Sequence, residues 1–124
     1  MKKRIKGKAG IIYHAKTGAI ELRGDVHDKV IWATQEQIAI IFDVERSVVT
    51  KHIRNILRDK ELDKESVCAK FAHTAADGKK YHVQFYGLDL ILAVGYRANS
   101  SRAIEFRKWA TKILREHVVE GYTI

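Results

Sequence analysis

Proline is absent from the 124 residues, cysteine and methionine occur once each, and no apolar run approaches the length of a membrane span. Each absence narrows the field. Without about eighteen consecutive apolar residues no membrane helix is expected. The single cysteine, Cys68, has no partner for an internal disulfide, which fits a reducing compartment. The basic opening Met1 to Lys8 is not followed by an apolar stretch of signal-peptide length, so no export signal is read and a cytoplasmic location is expected. No repeat or low-complexity segment divides the chain, and its length holds one core. The expected organisation is a flexible basic arm over residues 1–9 and a single domain over residues 10–124.

Chemical signatures are also scarce. There is no P-loop and no dinucleotide-binding glycine pattern. Cys68, His73 and His82, with His14 and His27, lack the close spacing of a zinc site. Glu21, Asp25 and Lys29 form a small charged group of the kind a nuclease uses, but no companion motif supports it. No catalytic residue, metal or cofactor is expected, and the chain reads as a non-enzyme.

What the chain has is positive charge. The net charge is +8, and residues 1–33 hold eight basic side chains against three acidic ones. Such a surface attracts polyanions, either nucleic acid or an anionic membrane face. The last segment, with Arg102, Arg107, Lys108, Lys112 and Arg115, is the one basic amphipathic stretch. Its Trp109 reads as core rather than as a lipid anchor, so no membrane partner is expected.

The apolar pattern gives the order of elements. Gly10 to Asp25 reads as a hairpin around Lys16-Thr17-Gly18, and Val30-Ile31-Trp32 as a further strand. Thr34-Gln35-Glu36-Gln37 fits a capping box opening a helix with Ile38, Ala39, Ile41 and Phe42 inward. Asp43-Val44-Glu45 interrupts the period, which resumes with Val48 or Val49, Ile53, Ile56 and Leu57. Residues 58–66 are charged and irregular. Asp77-Gly78 between two alternating runs predicts a second hairpin over residues 67–86. A buried helix is expected from Leu88 to Gly95. After a break at Asn99-Ser100-Ser101, a last helix runs to about Val119, with Gly121 as its stop. The fold class is α+β.

Two short helices around a sharp turn, from about Thr34 to Leu57, have the form of a DNA-binding helix-turn-helix. Ala39 supplies a small residue at the crossing, and Phe42, Val44 and Val49 the apolar anchors. Arg46, Ser47, Thr50, Lys51 and Arg54 would then face the major groove, where Arg and Lys bond guanine edges and Ser and Thr reach bases or phosphates. Thr34 and Gln35 at the first helix's N-terminus suit a phosphate oxygen. The second hairpin follows as a wing would, with Lys79 and Lys80 at its tip. Asp43 stands where many such motifs place glycine.

The runs Ile31 to Ala39, Phe42 to Val49, Glu65 to Lys79, Gly95 to Ser100 and Phe106 to Ala110 resemble the N-terminal domain of RhuM-family proteins. The likeness covers about residues 11–122. The stretch Phe106-Arg107-Lys108-Trp109-Ala110-Thr111 is also similar to the ends of phage antirepressor domains of the Bro-N type. The family is bacterial and linked by name to virulence loci, and the resemblance implies a DNA-binding helix-turn-helix. Asp43 and Val48 depart from the Gly and Thr expected there. Family members extend further, so an N-terminal domain of a longer protein is the expectation.

The resulting expectation is a winged-helix-like, sequence-specific double-stranded DNA-binding domain that regulates transcription as a homodimer. The alternatives are an antirepressor-like protein-interaction module and, behind it, a nuclease or toxin enzyme.

Overall fold

A two-residue turn at Lys16-Thr17 joins β1 (Lys8–Ala15) to β2 (Gly18–Asp25), which pair in antiparallel register with Ile11 opposite Leu22. The computed structural model describes residues 8–25 and 30–123, with backbone only at 8, 9, 25, 73 and 117–123. Residues 1–7 of the expected arm, and His27 and Lys29, lie outside the described residues. The first strand begins at Lys8, two residues before the hairpin expected at Gly10.

The remaining elements follow the expected order. β3 (Val30–Ala33) leads to α1 (Gln35–Phe42) and α2 (Arg46–Arg58). A short α3 (Lys64–Val67) precedes β4 (Cys68–Thr74), β5 (Lys80–Gly87), α4 (Leu88–Ala98) and α5 (Ser100–Thr123). The five strands form one antiparallel sheet in the order β1-β2-β3-β5-β4. The second hairpin is therefore continuous with the first through β3, where Trp32 pairs with Gly87 and Ala33 with Tyr86. The architecture is α+β.

Three boundaries differ from the pattern. A helical turn, α3, interrupts the irregular segment 58–66, α4 runs on to Ala98, and α5 continues through Gly121 to Thr123. A glycine inside a helix costs about 1 kcal/mol relative to alanine but does not end it, whereas proline would.

The period-2 alternation of the strands sorts their side chains onto two faces. One face carries Ile11, Tyr13, Leu22, Ile31, Ala33 and Tyr86, all buried. Against it pack Ile38, Ile41 and Phe42 of α1, Val49, Ile53 and Ile56 of α2, Leu90, Ile91 and Val94 of α4, and Ala103, Phe106 and Ala110 of α5. Tyr13 meets Phe106 edge-on at 5.0 Å and Trp109 at 4.8 Å. Each large apolar side chain taken fully out of water contributes about 1.5–3 kcal/mol.

Three helices meet closely at Gly95. A Cβ there would collide with the ring of Phe42 and stand 3.0 Å from the Cβ of Ala103. Glycine therefore lets α4 lie against α1 and α5 at once. Asn99 ties the same corner: its Nδ2 donates to the Phe42 carbonyl at 3.0 Å, and its Oδ1 accepts from Ser101 Oγ at the start of α5. The expected break at Asn99-Ser100-Ser101 is thus a cap that also holds the end of α1.

Candidate nucleic-acid interface

Thr34 caps α1 as its spacing predicts. Its Oγ1 accepts from the Gln37 amide at 3.2 Å, and Gln37 Oε1 accepts in return from the Thr34 amide at 3.0 Å. The Gln37 Nε2 also donates to the Glu21 carbonyl at 2.8 Å, fixing the helix start to β2. α1 ends in a Schellman motif: the Val44 amide donates to the Ala39 carbonyl, and the Asp43 amide to that of Ile40. Asp43 holds the left-handed position, φ 58° and ψ 51°, that glycine most easily takes. The turn therefore forms with aspartate, because a short polar side chain tolerates this conformation better than most.

α2 then presents two faces. Val49, Ile53 and Ile56 are buried, while Ser47, Lys51, Arg54 and Arg58 are exposed. Their spacings of four, three and four residues set these four in one stripe along the helix. Arg58 is the member the sequence reading left out. Its side chain is 66% exposed, with Nε 3.2 Å from Asp59 Oδ1. The signal was present, because Arg58 continues the period of Ser47, Lys51 and Arg54. It was hidden by assigning residue 58 to the irregular segment.

Not every expected contact residue is free. The Thr50 hydroxyl donates to Gln35 Oε1 at 2.6 Å, and its oxygen lies 3.1 Å from the Arg46 carbonyl oxygen. The Gln35 Nε2 donates in turn to the hydroxyl of Tyr86 at 3.1 Å. Gln35 and Thr50 thus bridge α1, α2 and β5. Arg46 lies 3.9 Å from Glu36, both side chains well exposed, a contact worth little in water. A cleft of about 160 Å³ opens here between the helix pair and β5, lined by Thr34, Gln35, Glu36, Arg46, Val83, Gln84 and Tyr86.

Lys79 and Lys80 are exposed at the hairpin tip. Asp77 organises it: its carboxylate accepts from the Lys79 amide at 2.9 Å and from the Tyr81 hydroxyl at 3.1 Å. Gly78 turns the chain at φ +83°. The bonds that join this hairpin to α2 run through Tyr86, about 20 Å along β5 from Lys80. The structure brings Thr34, Gln35, Arg46 and Thr50 together and sets the tip lysines apart from them.

Two side chains near the helix pair titrate away from their ordinary range. Burial, then the charges of Arg97 and Lys51, lower the pKa of His52. Burial raises that of the Cys68 thiol, against an opposing pull from Lys64. Cys68 stands on the ladder opposite Tyr86, four rungs from His82. Among the described residues no three His, Cys, Asp or Glu side chains gather as metal ligands, and no helix is long and apolar enough to cross a membrane.

The fold and the site together define an α+β domain whose antiparallel sheet carries a pair of short helices with a polar, basic stripe. A family model described as the Virulence protein RhuM family matches residues 66–124, so this stretch of the chain is similar to that family. The match spans α3 to α5 and does not include the helix pair α1–α2. Nothing among curated proteins or solved structures matches the chain.

Proposed function

We propose that the chain is a sequence-specific duplex-DNA-binding domain, acting in transcription regulation as a homodimer in the cytoplasm. In this reading α1, the turn at Asp43 and α2 form a helix-turn-helix, with the β4–β5 hairpin as its wing. The carrying observation is the exposed stripe Ser47, Lys51, Arg54 and Arg58 on the side of α2 away from its buried Val49, Ile53 and Ile56. At 1.5 Å per residue the stripe is about 16 Å long, enough to cross the roughly 12 Å major groove. Arg46, Ser47, Lys51 and Arg54 face base edges, while Arg58 reaches a phosphate at the far rim. Gln35 and Thr50 act indirectly, by holding the helix against α1 and the wing. Thr34 leaves the α1 N-terminus beside the cleft open to a phosphate, and Lys79 and Lys80 approach the backbone elsewhere.

Selection of bound sequences from a random duplex pool tests this reading. A recurring motif is expected. On the selected site, about four to six phosphate contacts predict a log–log salt slope of about −4 to −5. Absence of any enrichment, or an affinity indifferent to salt, removes the proposal.

A further inference from the structure

Among the described residues, the helices leave one face of the sheet uncovered, and its side chains are unlike those of a solvated strand face. Ile12, Glu21, Arg23, Phe71, Val83 and Phe85 share it, by the register of the five strands. An antiparallel sheet with one wet face ordinarily alternates apolar inward with polar outward. Here Trp32 and Phe71 meet edge-on at 5.6 Å, and Phe71 and Phe85 at 5.2 Å. The Arg23 guanidinium lies 3.8 Å from the centre of the Phe71 ring. A depression of about 280 Å³ opens beside it, bounded by Arg23, Phe71, Ala72, Val83 and Phe85. Among the described residues, the ring and cation contacts of this cluster are all between strand residues. Ile12, further along the face, is 48% exposed.

The charges on this face are self-complementary. Glu21 and Arg23 are two residues apart on β2, so they point the same way at about 7 Å spacing. Among the described residues neither has an ion-pair partner, and the Glu21 carboxylate lies over Gly10, where any Cβ would collide with it. A two-fold axis passing between them sets each Arg23 against the partner subunit's Glu21 and pairs both charges at once. A foreign partner would have to match the same spacing with the opposite order of charge.

We infer that this uncovered face joins two copies of the chain, the aromatic cluster and Ile12 supplying the buried area and the Glu21–Arg23 pairs the register. The inference rests on the homodimer of the proposed function, for which it names the surface. Apolar area drives such an association, while reciprocal charge pairs fix orientation and exclude other arrangements.

The test uses the full chain without DNA, so its failure leaves recognition of DNA by α2 a separate question. Sedimentation equilibrium should find a dimer. Arg23→Glu and Glu21→Arg each place like charges against each other twice, and each should weaken the dimer by at least about a hundredfold. The double reversal, Glu21→Arg with Arg23→Glu, should restore it. Ile12→Asp, at an exposed position outside the core, should also give a folded monomer by circular dichroism. The inference is overturned if the wild-type chain stays monomeric at the highest soluble concentration, or if the single reversals and Ile12→Asp remain dimers. Failure of the double reversal to recover the dimer equally overturns the reciprocal pairing.

Discussion

The hydroxyl of Thr50 donates to the side-chain carbonyl of Gln35 at 2.6 Å, and Gln35 passes the connection on to Tyr86. The exposed stripe of α2 is thereby fixed relative to both α1 and β5 by side chains that need no contact with DNA. Thr50→Val keeps the shape of the residue and removes the donor. A net hydrogen bond of this kind contributes about 1 kcal/mol, so the variant should unfold at a correspondingly lower urea concentration. An unchanged midpoint would mean that the bridge does not hold α2.

Both helices of the pair end with a non-glycine residue in the left-handed conformation. The second is Lys60, φ 58°, where the Glu61 amide donates to the Ile56 carbonyl at 3.1 Å and the Lys60 amide to that of Leu57 at 3.2 Å. Relief of the Cβ crowding outweighs the extra freedom of glycine in the unfolded chain, so Lys60→Gly should stabilise by about 0.5–1 kcal/mol. Lys60→Val should destabilise, since a β-branched side chain tolerates the conformation least. Chemical denaturation of the two variants checks the sign, and a stabilising valine would contradict the account.

Gly95→Ala should be costly although alanine favours helix. Its Cβ would press on Phe42, whose ring is itself held against Phe106 at 6.0 Å, so neither can retreat freely. Overpacking of this kind costs about 1–3 kcal/mol. A thermal melt equal to or above the wild type would show that the corner has slack.

His52 gives the domain a pH dependence of known sign. Burial and the nearby charges of Arg97 and Lys51 disfavour its protonated form in the folded state. Above the ordinary histidine value of about 6.5 the ring is neutral in both states and its share of stability is complete. As pH falls below that value the unfolded chain takes up the proton first, and stability drains until the lower folded pKa is passed. The urea midpoint should therefore decline from pH 7.5 to 5.5, and decline less steeply in His52→Gln. Parallel curves for the two proteins would assign the dependence to other groups.

Much of this architecture was legible in the residues. Thr34 and Gln37 announced the first helix, Lys16-Thr17-Gly18 the first hairpin, and Asp77-Gly78 the second. Local rules reach that far because caps, turns and periodicity are set by neighbours in sequence. Pairing of β3 with β5, across more than fifty residues, has no such local signal. Nor does the role of Gly95, which depends on where Phe42 arrives from another helix. Lys60 was invisible for a different reason: lysine is not a turn former, and tertiary packing imposes its conformation. In the site, Ser47, Lys51 and Arg54 of the α2 stripe followed from spacing, whereas Arg58 did not. The diversion of Gln35 and Thr50 into an internal bridge required Tyr86, which the sequence places thirty-six residues beyond Thr50.

The claim that the exposed face of α2 reads DNA is tested most directly at Lys51, in the middle of the stripe. The measurement is binding of wild type and Lys51→Ala to the selected site and to a scrambled duplex of the same composition, at matched salt. Lys51 buries no side chain in the core, so stability should shift by less than about 0.5 kcal/mol. Discrimination between the two duplexes should fall by about 1–3 kcal/mol if the lysine bonds a base edge. Binding curves that coincide with those of the wild type on both duplexes, from a variant with an unchanged melt, would contradict the account.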